Sequence, residues 1–140
     1  MSLRQLSAGA VAGNVNTDFA VGSEDNRKVL YGHVILSTDA TVASRRVIVQ
    51  VLDASSNLIF DAHSGTTVSA STADQHHAFM QGIYRETSFI GSSLQVPIPI
   101  DMALLPGWTL RVNIENGQAG DSYDVEFVVD DAHLGASFVH

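Results

Sequence analysis

The 140-residue chain contains no cysteine, which excludes a disulfide framework, a thiolate zinc site and a thiol nucleophile. It is also short of charge: Asp, Glu, Lys and Arg make up 16% of it, against roughly a quarter in ordinary globular domains. Bases are the scarcer sign, seven against fifteen acids, leaving a net charge of −8. Nucleic-acid binding needs a concentrated positive surface, so this balance argues against it. No run of about 18 apolar residues occurs, and no transmembrane helix is expected. Residues 1–6 hold one base, Arg4, and no apolar stretch, so they do not read as a secretory signal. Aromatics are only 7%, with a single tryptophan. That is poor material for a sugar-stacking site, and Trp108 falls on an apolar strand face that suits core packing.

Hydrophobic residues make up 45% of the chain, enough for one domain with a real core. Their spacing has period two rather than 3.6, which is the signature of strands. In residues 28–37, Leu30, Val34 and Leu36 share a face with Gly32. In residues 44–53, Val47, Val49 and Val51 alternate with Arg46, Ile48, Gln50 and Leu52. Residues 54–57 read as a turn into a short strand at 58–61, making a hairpin. Residues 75–84 are ambiguous: Phe79, Gln81 and Ile83 would share a strand face, with a short helical turn as the alternative. Leu94, Val96, Ile98 and Ile100 alternate with Gln95, Pro97, Pro99 and Asp101, and the prolines assign that strand to a sheet edge. Pro106-Gly107 suits a type II turn. Beyond it, Trp108, Leu110, Val112 and Ile114 form one face, and Tyr123, Val125, Phe127 and Val129 another. Asn116-Gly117 and Gly120-Asp121 between them read as a hairpin turn. A last short strand is expected at 134–139.

About eight short strands punctuated by turns predict an all-β, single-domain, jelly-roll-like β-sandwich. Residues 1–25, with Gly9, Gly13 and Gly22 and many small side chains, read as an extended N-terminal arm before a sandwich at 26–140.

The chemistry-bearing residues form no recognisable site motif. Adjacent His76 and His77 would point to opposite faces of a strand. Asp130, Asp131 and His133, and separately Asp121 and Asp124, lack the spacing of a metal loop. No nucleophile elbow or phosphate-binding loop appears. No enzyme, metal site or cofactor is read. The Arg45-Arg46 pair could reach an acidic partner or serve a salt bridge within the domain.

Three stretches together resemble a group of small virion proteins of tailed bacteriophages. The first is Leu36-Ser37-Thr38-Asp39-Ala40-Thr41 leading into Arg45-Arg46-Val47-Ile48-Val49-Gln50-Val51-Leu52-Asp53, similar to that group's first hairpin. The second is Val96-Pro97-Ile98-Pro99 followed by Leu104-Leu105-Pro106-Gly107-Trp108-Thr109-Leu110. The third is Gly117-Gln118-Ala119-Gly120-Asp121. The resemblance spans residues 28–131 and implies a non-enzymatic component of the particle, assembled in the host cytoplasm. A capsid decoration (cement) protein that binds the major capsid protein as a homotrimer is the expectation. A head–tail or tail component, or a carbohydrate- or receptor-binding module, is the alternative. The expected partner-binding residues are Leu3, Leu6, Val11, Val15 and Phe19 along the arm, with Ile48 and Leu52 on the off-core face of their strand.

Overall fold

The computed structural model describes residues 2–133. These form ten strands: β1 (Leu3–Ala12), β2 (Thr17–Ala20), β3 (Asp25–Ser37), β4 (Arg46–Leu52), β5 (Leu58–His63), β6 (Gln75–Gln81), β7 (Ser93–Ile98), β8 (Met102–Leu104), β9 (Thr109–Glu115) and β10 (Ser122–His133). One sheet runs β1-β10-β3-β6-β7, with β8 also paired to β3, and the other runs β2-β9-β4-β5. Alternation explains the core. Val47, Val49 and Val51 of β4 and Leu110 and Val112 of β9 face Val34, Leu36, Tyr123, Val125 and Phe127 of the larger sheet, all at most 2% exposed. The fold is an all-β sandwich of the jelly-roll type. One departure is that β6 and β7 run parallel, so residues 82–92 must cross over between them.

Several sequence expectations are corrected. Residues 1–25 are extended, yet they do not form a separate arm. β1 pairs antiparallel with β10 over Leu3–Ala12, and β2 pairs with β9. Leu6 and Phe19 are the reason: each has core to pack against on its own sheet. The expected hairpin around Asn116 is instead an arch between sheets, since β9 pairs with β4 and β2 while β10 pairs with β3 and β1. The strands on either side of Thr38–Thr41 are likewise split, β3 in one sheet and β4 in the other. In β3, Tyr31 pairs with Val128 but Val29 with Val129. Leu30 is therefore a bulge residue, and bulges flip the faces beyond them. Val29, not Leu30, is the fully buried member. Gly32 is needed there because a Cβ would lie 2.3 Å from the Phe127 ring.

Other readings hold. β4 and β5 form the expected hairpin. β7 carries Pro97 at a sheet edge. Trp108 N–H donates to the Leu105 carbonyl at 3.1 Å with Gly107 at φ 79°, the geometry of a Pro-Gly type II turn. Residues 75–81 are strand, not helix. Trp108 packs against the core, though only half-buried. The strand expected at 134–139 lies outside the described residues.

Candidate functional site

The expected contact residues do not form one patch. Leu3, 62% exposed, lies on the outer edge of β1, and Val15 is exposed in the turn after it. Leu6 is buried opposite Phe127, and Val11 and Phe19 are half-buried against the core. Ile48 and Leu52, expected on an accessible face, are 8% and 6% exposed. β4 is an interior strand, so neighbours flank both residues: His63 and Asn113 beside Ile48, Leu58 and Thr109 beside Leu52. Burial among these cross-strand neighbours leaves little of either side chain accessible to a partner.

The charged residues flagged in sequence are occupied in holding the fold. Arg45 is fully buried. Its Nε and Nη2 donate to the two oxygens of Asp121 at 3.0 and 3.1 Å. Nη2 also donates to Asp39 at 2.8 Å, and Nη1 to the Ala43 carbonyl at 2.9 Å. Asp121 accepts two further bonds, from the main-chain N–H groups of Asp39 and Gln118, both at 2.8 Å. Burial raises the pKa of the Asp121 carboxyl, but these donors outweigh it and hold the group below its ordinary value. At the other end of β3 and β10, Arg27 (4% exposed) makes the same bidentate fork with Asp131, which Arg4 also joins at 3.1 Å. Asp124 accepts the Ala10 N–H at 2.6 Å and supports the β1 bulge, where Ala10 has φ 53°. Two Arg–Asp forks, one fully and one partly buried, thus clamp opposite ends of the sandwich.

The histidines separate as their adjacency requires. His77 faces inward and is fully buried, edge-on to Phe89 at 5.3 Å. Burial lowers its pKa to about 4. Nδ1 lies 3.1 Å from the Gln75 carbonyl, while Nε2 has no partner among the described residues. His76 faces outward and stacks on His33 at 6.2 Å. No group of three or more His, Asp or Glu residues among the described residues could hold a metal ion.

Sequence reading missed two features of the larger sheet. Its outward face carries a row of side chains running across the strands: Gln5, Val128, Tyr31, Met80 and Pro97. Tyr31 is 53% exposed and Met80 39%. Alongside it runs a groove of about 380 Å³ bordered by Ser7, His33, Asp124 and Glu126. The second feature is the outer edge of β1, which no described strand covers. Neither has a signal in a single strand, because both arise from the register between strands.

No family model and no curated protein matches the chain. Among solved structures, it is similar to the subject of "Structure of infectious bursal disease virus Gt strain", at 14% identity and a TM-score of 0.39 over 96% of this chain and 32% of the other. It is also similar to the subject of "Crystal structure of the T13 IBDV viral particle reveals a missing link in icosahedral viruses evolution", at 17% identity and a TM-score of 0.43 over 94% of this chain and 29% of the other. The chain spans about a third of the length of these proteins. At such TM-scores the likeness carries no argument, and the fold stands on the strand pairing described above.

Proposed function

We propose that this chain is a structural protein of a bacteriophage particle, a decoration protein that docks on the assembled shell. The observation that carries the reading is where the resembling stretches lie. Asp39 and Arg45 come from the first stretch, Gln118 and Asp121 from the third, and they meet in one buried ionic cluster. Pro106-Gly107 of the second forms the tight turn into β9. Residues that carry the resemblance are thus scaffold determinants, as a shared scaffold requires. The low charge content and the partly apolar outer row of the larger sheet suit docking through apolar and main-chain contacts. Threefold shell sites would favour three copies per site. Leu3 and Val15 are the expected contacts whose side chains remain available.

The experiment is co-sedimentation of the purified chain with shells that lack it, followed by cryo-electron microscopy. Saturable binding at a copy number set by the shell's symmetry is the expected result. Failure to bind shells, with incorporation only at a tail or head–tail junction, would overturn the decoration reading.

A further inference from the structure

Sheet edges are templates for strand addition, and proteins normally block them. Among the described residues the sheets end on five strands, β1, β7, β8, β2 and β5, and all but β1 are blocked or very short. β7 contains Pro97, and Glu86 covers it: its carboxylate accepts the Gln95 N–H at 2.8 Å and its own N–H donates back at 3.3 Å. β2 and β8 have only four and three residues. β5 carries Asp61 and pairs through a register shift. β1 is different. It has ten residues, no proline, and Arg4 as its sole charge.

The main-chain direction along β1 follows from one bond. Asp131 N–H donates to the Ser2 carbonyl at 2.9 Å, so these two residues form a hydrogen-bonded pair. Antiparallel ladders alternate. Arg4, Leu6 and Ala8 therefore bond to β10, while the N–H and C=O groups of Leu3, Gln5 and Ser7 point away from the sheet. Pairing is regular from Ser2 to Ala8 and breaks only at the bulge beyond. Gln5 is the midpoint of that run.

We propose that β1 of one molecule pairs antiparallel with β1 of a second copy, about a two-fold axis through Gln5. In this register Gln5 faces the partner's Gln5, and Leu3 faces the partner's Ser7, so every outward main-chain group of the run meets its complement. A shift of the axis to Leu3 or Ser7 would run past the start of the strand or into the bulge. Charge permits pairing at this edge: the molecule carries −8 overall, and β1 itself holds no acid to face a second acidic copy. The inference does not depend on shell docking. On a shell, local two-fold axes relate copies at neighbouring threefold sites, so such pairing would fasten neighbours together.

Sedimentation equilibrium of the purified chain tests this. A monomer–dimer equilibrium is expected. Gln5→Pro deletes an N–H that faces only the partner, and should weaken dimerisation at least about tenfold, the effect of two hydrogen bonds lost at the axis. At concentrations where both proteins are monomeric, the melting temperature should hold. Should that variant misfold, Gln5→Lys sets like charges opposite each other at the axis with the main chain intact, and should weaken the dimer similarly. Because the chain has no cysteine, Gln5→Cys should oxidise to a linked dimer while Ser55→Cys, on an exposed turn, does not. A chain monomeric up to ~1 mM, or an oligomer unaffected by both Gln5 variants, would overturn the proposal. So would a Gln5→Cys protein that fails to cross-link.

Discussion

The side chains of Arg45 and Asp121 are fully out of solvent; without Arg45 the Asp121 carboxylate would have no cation beside it, and without Asp121 the buried guanidinium would keep only Asp39. Removing one partner of such a pair costs about 3–5 kcal/mol. Asp121→Ala should lower stability by that amount in urea unfolding, and Arg45→Met with Asp121→Leu together should cost much less than the two single losses summed. Additive losses would show that the pair is not coupled. His77 makes a pH prediction. Its folded pKa, about 4, lies below the ordinary value of 6.5, so the unfolded chain takes up the proton first as pH falls. Its stabilising contribution is complete above pH 6.5, declines between 6.5 and 4, and is flat below. The total is about 3 kcal/mol. His77→Leu should remove that slope; an unchanged slope would place the titration elsewhere. At this scale the sequence was only partly legible. It marked Arg45 and Asp121 as notable, but a doubled arginine reads the same whether it faces solvent or a carboxylate 76 positions away.

Strands with unbroken alternation, β4, β9 and most of β10, were legible because one buried face repeats every second residue. β2 and β8 were not, with four and three residues, too few to show a period. Leu30 was misread for a different reason: a bulge adds one residue and exchanges the faces, and nothing in the residue types announces it. The loop at 116–121 misled because a hairpin and an inter-sheet arch use the same turn residues. What separates them is Asp121, whose fork to Arg45 holds the start of β10 under β4. For β1 the pairing fixes the expected outcome of truncation. Deleting residues 1–12 would strip Leu6 from Phe127 and bare the flank of β10. Losing a buried leucine alone costs about 2–5 kcal/mol, so the truncated chain should show a clearly lower urea midpoint or fail to fold. A midpoint equal to that of the full chain would mean that β1 adds nothing to the stability of the sandwich.

Across the whole molecule the chain changes sheets repeatedly. β1 and β3 belong to one sheet with β2 between them in the other, β3 hands over to β4, β5 to β6, β8 to β9, and β9 to β10. This interleaving was the least legible level, since patterning assigns strands to a core but not to a layer. It has a thermodynamic consequence. Neither sheet can be released as a contiguous piece of chain, and both sides of the core, Val47 and Leu110 against Val34 and Phe127, are fully buried only while the sheets stay packed. The buried Arg45–Asp121 fork adds to this, because Arg45 precedes the smaller sheet's β4 while Asp121 precedes the larger sheet's β10. Unfolding should therefore be a single cooperative transition, as small domains usually show. Trp108, half-buried beside the smaller sheet with its carbonyl accepting the Val21 N–H at 2.8 Å, is a local reporter of that sheet. Far-ultraviolet circular dichroism reports on both. In urea the two signals should share one midpoint and one slope. A tryptophan transition displaced from the circular dichroism transition would mean that the smaller sheet opens by itself, and that its tie to the larger one is weaker than the interleaved topology requires.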